Sequence, residues 1–355
     1  MTAYVFLSAF PIVMRPIINT LFKKQLNSSP DTKKWFLFIC GAVIFLSLAL
    51  RGNMVGSEDS LGYYNTWRQL EPMSLGGVES YIEDSKMEGG FIYTVWAWAK
   101  IFKEPQIIFV ITGAIYTIAV CRFIYLNSED VLMSVVMFIT LGLYEFMFQG
   151  MRQAIAMSIC LFAFEFCKKR KLLPFILLIV LAMCYHRTAG IFVVVYFLFG
   201  IPMNGLSILI SGIAGAVMIG ASSFIAQIAN DILDRDYAGA VEEGGFIALI
   251  IYALIIVVAL LLKEQIKPDK KFSFFFFVLL LGAVIYTTRY TDVRIAERIS
   301  FYFMFAHMVV LPNSIQKLEK NTRQILKIVI LMLCLLLYYS RLGDSVMVPY
   351  EFYWQ

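Results

Sequence analysis

Charge is scarce in this chain. Only 15% of its 355 residues are Asp, Glu, Lys or Arg, and only two are histidines. A soluble domain carries roughly 25% charge, so the shortage excludes an ordinary soluble protein. Cysteine is sparse too. Cys40, Cys121, Cys160, Cys167, Cys184 and Cys334 lie within or at the end of apolar runs, with no CxxC. That placement argues against a disulfide framework or a structural metal and predicts buried apolar side chains. Metal-ligand spacing, a P-loop and GxSxG are absent. Asp234-Arg235-Asp236 has the letters of a DxD sugar-transfer motif, but it sits in an acidic loop between apolar runs. The net charge of +5 comes from basic residues at the ends of runs, not from a nucleic-acid patch.

What is present is apolar. Hydrophobic residues make up 60% of the chain and the mean hydropathy is +0.76. Backbone groups in lipid must be satisfied within helices or closed barrels. The apolar runs are continuous, not alternating, which argues against a barrel. The fold class is therefore all-α, a polytopic transmembrane helical bundle forming one integral membrane domain over 1–355. Runs near 4–21, 35–50, 107–126, 131–148, 151–167, 172–185, 188–201, 205–226, 246–262, 272–288, 297–315 and 324–340 give about twelve candidate spans. Several fall short of the ~20 residues a crossing wants. The pair 172–185 and 188–201 is the shortest, as extended spans or as half-helices. Residues 4–21 read as an uncleaved first span, weakened by Arg15 and Pro16.

Basic residues orient the chain. Lys23, Lys24, Lys33 and Lys34 flank one loop, and Lys168-Lys169-Arg170-Lys171 form another. Lys263, Lys267, Lys270 and Lys271 form a third, and Lys317, Lys320 and Arg323 a fourth. Cytoplasmic loops carry the Lys/Arg excess, so all four face the cytoplasm. Twelve spans satisfy this if 91–103, with its paired tryptophans, is an interfacial helix within an extracytoplasmic loop 51–106. Both termini then lie outside. The acidic loop 227–245 and the segment 289–298 share the outer face. Phe274-Phe275-Phe276-Phe277 suits a lipid-facing helix.

The outer face collects the residues able to do chemistry. Arg51-Gly52 is followed by Glu58, Asp59, Tyr63, Tyr64 and Trp67. The carboxylates suit a base or acceptors for sugar hydroxyls, although an ordinary solvated loop has the same look. Glu88 precedes the interfacial segment, where helix-dipole compensation alone would place it. Arg152 and Gln153 open a helix after Gly150. A cation there opposes the macrodipole, so an anionic ligand or an acidic partner such as Glu145 is expected. Arg suits phosphate because its planar fork binds two oxygens. His186, in the break Tyr185-His186-Arg187-Thr188, is a candidate general base or a satisfied interfacial histidine. His307, in mid-span, reads as a helix–helix contact. Arg289, Arg294, Glu297 and Arg298 form a last cluster, with Tyr302 one turn deeper than Arg298. Two arginines at a helix entrance suit a diphosphate or serve as interfacial anchors.

At these residues the chain resembles the EpsG family of bacterial polysaccharide-polymerising membrane proteins, related in role to Wzy polymerases. The matching elements are Leu50-Arg51-Gly52, Gly56, Asp59, Tyr63, Glu88, Met151-Arg152-Gln153-Ala154-Ile155-Ala156, His186-Arg187-Thr188-Ala189, and Arg298 with Tyr302. They run over roughly 35–315. In Ser57-Glu58-Asp59 the Asp stands further from the glycine than the family pattern has it, so Glu58 and Asp59 are both open as the relevant carboxylate.

The resemblance implies a Wzy-type glycosyltransferase. Its substrate is an oligosaccharide repeat unit on a polyprenyl (undecaprenyl) diphosphate, polymerised into exopolysaccharide, O-antigen or capsule. The reaction lies outside the bacterial cytoplasmic (inner) membrane and uses no metal or cofactor. Arg51, Arg152, Arg289 and Arg298 would contact diphosphate or sugar, with Gln153, Tyr63 and Tyr302 in the substrate site. Asp59, Glu88 or His186 would be the base. A chain-length regulator and a flippase are the accessory partners of such a role, and nucleic acid is not a partner. The alternatives are a flippase or transporter of the lipid-linked sugar, a glycan ligase, and an acyltransferase.

Overall fold

The computed structural model describes residues 1–85, 87–224, 227, 245–290 and 294–355, with the side chains of residues 57, 294 and 295 excepted. The elements are helical throughout this set, and the β pairing among them is one bridge between Arg51 and Phe352. The chain divides into two compact units. The first holds Met1–Phe162, Val180–Arg187 and Lys327–Gln355, and the second Ala163–Ile179 and Thr188–Leu326.

In the first unit, α1 (Thr2–Phe22) packs on α2 (Pro30–Ala49), and α2 on α6 (Ile107–Asn127). Ser29 caps α2 through its hydroxyl, which accepts the Thr32 amide at 3.3 Å, and Pro30 opens the helix where no donor is missed. Between α2 and α6 the expected loop 51–106, with its one helix at 91–103, holds three helices, α3 (Ser57–Leu70), α4 (Leu75–Ser85) and α5 (Gly89–Ile101). Only α5 is apolar enough to show as an element in the hydropathy pattern. The other two are held by packing, α4 on α5 and α3 on both α5 and α8 (Leu143–Gln149).

Gly56 precedes α3 with φ 105°, and a Cβ there would lie 2.5 Å from the Phe148 carbonyl oxygen, so only glycine fits. Helices α7 (Val131–Thr140) and α8 form one bent run, kinked by 42°. Helix α9 (Met151–Lys168) leads into the second unit, and α10 (Leu172–Met183) returns to the first.

The second unit continues with the 3₁₀ segment Arg187–Val194, α11 (Val195–Leu198), α12 (Gly205–Gly220), α13 (Phe246–Leu261), α14 (Lys263–Ile266) and α15 (Lys270–Thr287). After the turn Thr288–Tyr290 come α16 (Arg294–Met304), α17 (His307–Gln316) and α18 (Lys320–Leu342), which ends in the first unit. Helix α15 is the centre of the second unit and packs on α11, α12, α13, α16 and α17. Its Phe274, Phe275, Phe276 and Phe277 are all buried, against the expectation that they face lipid. Phe164, Phe199 and Phe274 meet edge to face, and Phe275 is tilted against Phe164, so the run is core.

Lys23, Arg170 and Lys267 follow helix ends in left-handed conformation, with φ of 50°, 54° and 46°. A cation there complements the helix dipole, so the basic loops are also the helix stops.

Five helices among the described residues are long and apolar enough to cross a membrane: Thr2–Phe22, Pro30–Ala49, Ile107–Asn127, Lys270–Tyr290 and Lys320–Leu342. The bent pair α7 and α8 makes a sixth. The expectation of twelve spans exceeds this by six: α10, α12, α13 and the segment Arg187–Leu198 have only 10–17 residues, α9 carries Arg152, Glu165 and Lys168, and the run 297–315 is split between α16 and α17. The first span is one uninterrupted helix despite Pro11 and Pro16. The six cysteines are free, and Cys184 is exposed where a buried side chain was expected, because α10 ends at Met183 and leaves it in the turn beyond.

Candidate functional site

In the first unit, three chain breaks meet at Glu88. Glu88 is the N-cap of α5, Arg152 lies in the first turn of α9, and His186 follows α10. Each break sits where an apolar run ends, so a polar side chain comes to the end of the helices at low cost.

The Glu88 side chain is 5% exposed. One carboxylate oxygen, Oε2, pairs with Arg152 Nη1. The other, Oε1, lies 3.4 Å from His186 Nδ1 and accepts the Arg187 backbone N–H at 3.2 Å. Burial alone would raise this carboxyl's pKa. The His186 contact and the Arg152 charge outweigh that and draw it from an ordinary 4.5 down to about 2.

The ring is held close by backbone. A Cβ on Gly90 would lie 2.5 Å from the Cys184 carbonyl oxygen, so the start of α5 touches the end of α10. The Thr94 and Tyr185 hydroxyls meet at 3.0 Å one turn further on. Tyr63, from α3, packs edge-on against Phe91 and lies close enough to Arg152 to interact with its charge. The Arg152 Nε is buried without a hydrogen-bond partner.

The acidic partner expected for Arg152 was Glu145, and it is Glu88. Glu145 instead accepts a hydrogen bond from the Ser345 hydroxyl at 2.6 Å. Helix α8 turns that side chain toward segment 343–355, whereas α5 brings Glu88 across a separation of 64 residues.

The other expected residues fall elsewhere. Asp59 and Glu58 are exposed in the first turn of α3. Gln153 is buried, and Trp67 is wholly buried. Arg51 is 1% exposed, with its guanidinium 4.6 Å from the Phe109 ring and 4.5 Å from that of Phe148. Its Nε and Nη1 have no hydrogen-bond partner, and burial pushes its pKa down to about 10.

The last cluster belongs to the second unit. Arg289 pairs with Glu297 at 2.7 Å and donates to the Tyr286 hydroxyl at 3.2 Å. Arg298 is exposed. Tyr302 is 1% exposed, and its hydroxyl lies 3.3 Å from that of Thr188. His307 is fully buried, 6.0 Å from the Tyr252 ring. The Arg294 side chain, Asp234-Arg235-Asp236 and most of the acidic loop lie outside the described residues.

Two features had no sequence signal strong enough to read. One is the ion pair of Lys327 with Asp130, whose partners stand 197 residues apart. The other is segment 343–355, which is fastened over the Arg51 loop. Gly52 N–H donates to the Glu351 carbonyl at 2.8 Å, Gly56 N–H to that of Val346 at 3.0 Å, and Tyr353 N–H to that of Leu50 at 3.0 Å.

A family model described as the EpsG family matches residues 34–352. No curated protein and no solved structure matches the chain.

Proposed function

The chain belongs to the EpsG family, a Wzy-like polymerase family, and from that premise we propose that it joins oligosaccharide repeat units carried on polyprenyl diphosphate. The reaction takes place at the outer face of the bacterial cytoplasmic membrane. The observation that carries the site assignment is the buried Glu88 carboxylate, contacted at once by Arg152, His186 and the Arg187 amide.

A carboxylate that stays ionised down to about pH 2 is a poor base for a sugar hydroxyl at neutral pH. Glu88 is therefore a positioning residue that orients an imidazole and a guanidinium. His186 is the base, through Nε2, because Nδ1 is the nitrogen in contact with Glu88. The acceptor hydroxyl gives its proton to His186 as its oxygen attacks the anomeric carbon of the donor unit. The bond from that carbon to the diphosphate oxygen breaks, and the electron pair leaves with polyprenyl diphosphate.

Arg152 stabilises the departing charge. Its Nε is without a hydrogen-bond partner, and the first turn of α9 adds backbone donors. Tyr63 and Gln153 keep the substrate-site role that the family resemblance suggests. Arg298 and Tyr302 belong to the second unit, and the site proposed for the first unit does not draw on them. The Arg289 charge is already met by Glu297. Arg51, enclosed between two phenyl rings, supports the fold of the outer end and does not contact sugar. Asp59 is the second candidate for the base because it is exposed.

The test is glycan chain length on gels from cells carrying Arg152→Ala or His186→Ala, with membrane protein level measured alongside. Collapse to single repeat units at normal protein level supports the proposal. Long chains in both variants refute the site. Failure of any lipid-linked unit to reach the outer face would favour the flippase reading.

A further inference from the structure

Segment 343–355 carries a group of aromatic rings that the site above does not use. Phe352 and Trp354 are stacked with ring centroids 4.5 Å apart and planes within 11°. Tyr353 meets Trp354 edge-on at 4.9 Å. These rings are exposed, Trp354 by 60% and Tyr353 by 52%. They are also fixed. The bridge between Arg51 and Phe352 and the Tyr353 amide bond to Leu50 tie the backbone down. A tight turn closes it, in which the Phe352 N–H donates to Gln355 Oε1 at 2.8 Å and the Gln355 N–H to the Phe352 carbonyl at 3.0 Å. Further back, the Tyr4 hydroxyl donates to the Met347 carbonyl at 2.8 Å and that of Tyr350 to the Ser47 carbonyl at 3.0 Å.

We propose that Trp354, with Phe352 stacked against it, is a carbohydrate-binding platform that holds the pyranose rings of the glycan chain beside the Glu88 cluster. The apolar C–H face of a pyranose packs flat on an aromatic ring. A ring already held in place loses little rotamer freedom when the sugar arrives. Glu351 and Gln355 are exposed on either side in the chain and supply polar partners for the hydroxyls. The platform belongs to the same end of the first unit as the site. Segment 343–355 bonds to Gly56 at the start of α3 and, through Ser345, to Glu145 of α8, and α8 is followed directly by Gly150 and Arg152. The competing occupant is the bilayer interface, which also collects Trp and Tyr. Fluid acyl chains select no preset ring stack, whereas a flat sugar face does. The identity of the glycan rests on the polymerase reading, but the geometry of the platform does not.

The test uses the full-length protein in nanodiscs. The probe is the oligosaccharide released by mild acid from the lipid-linked repeat unit of the same cells. The protein has five tryptophans, so the Trp354 signal is read as the difference from Trp354→Phe. The expected result is an oligosaccharide-dependent shift in that difference signal, with no quenching by brominated phosphatidylcholine. By calorimetry, Trp354→Ala should weaken binding by about tenfold. In cells it should shorten the glycan ladder without abolishing it, and Trp354→Phe should restore the length.

Quenching by the brominated lipid with no response to oligosaccharide would make the residue a bilayer anchor and overturn the proposal. Silence to both probes would overturn it as well. If His186→Ala left chains long while oligosaccharide still shifted Trp354, the polymerase site would fall and the platform would stand.

Discussion

Among the described residues of the first unit, two buried ion pairs have similar chemistry and different surroundings. Asp130 caps α7, accepts the Met133 amide at 3.3 Å and pairs with Lys327, among the Ser128 and Ser134 hydroxyls, which meet at 2.7 Å. Each of these neighbours either closes a helix end or joins two segments, and none is a histidine. Glu88 pairs with Arg152 in the same way, but its second oxygen faces a histidine and the amide of a chain break. The Asp130 pair ties α18 to the start of α7. The Glu88 pair ties a titratable ring and the amide of a chain break to one point. A buried ion pair is therefore weak evidence of function unless the groups it organises have something left to do.

Breaking the Glu88 pair should have the largest effect. Glu88→Gln keeps the shape but removes the charge that faces Arg152 and His186. We expect polymer to fall by at least about a hundredfold, in the range that general acid–base groups supply. Gels corrected for membrane level measure it. Normal chains in Glu88→Gln would erase the contrast between the two pairs.

Breaking the other pair should cost stability instead. Lys327→Met removes the cation that pairs with the buried Asp130, a change worth about 3–5 kcal/mol. The protein level should drop, while the chain length made per surviving molecule stays the same. Adding Asp130→Asn should recover much of the level, because the buried charge is then gone. Short chains in Lys327→Met at normal level would mean that this end of the unit also serves the reaction.

A smaller perturbation sharpens the comparison. Gly90→Ala forces a Cβ against the Cys184 carbonyl and should push α5 away from the end of α10. Overpacking of this kind costs about 1–3 kcal/mol. Because Glu88 and His186 ride on those two ends, activity should fall further than thermal stability in detergent does. Equal losses of both would reduce the contact to packing.

The smallest effect is in pH. The folded pKa of Glu88 lies below its ordinary value, so its ionised form contributes stability that is present above about 4.5 and lost as pH falls toward about 2. Melting in detergent should show an acid limb in that window, and Glu88→Gln should flatten it. Any fall in rate between pH 5 and 8 then comes from another group. An acid limb unchanged in Glu88→Gln would mean that other carboxylates set it.

The elements differed in how well they could be read ahead of the structure. The helical membrane class, the long spans and the basic helix stops follow from apolar runs and charge, which are local. Glu88, Arg152 and His186 stood out because each is a polar group at the end of an apolar run. That Glu88 would be a clamp was not legible, since Glu145 lies nearer to Arg152 in sequence and only the packing of α5 separates the two choices. Helices α3 and α4 escaped because amphipathic segments of 14 and 11 residues leave little hydropathy signal. The four phenylalanines of α15 misled for the opposite reason. An apolar helix looks alike whether lipid or protein surrounds it, and here protein does.

Composition dictated a helical membrane protein, because transfer of side chains into lipid acts residue by residue. Which carboxylate grips which cation, and which rings are fastened in the open, was decided by tertiary contacts between residues far apart in sequence. Their energies depend on burial and on distances of a few ångströms, which no local pattern encodes.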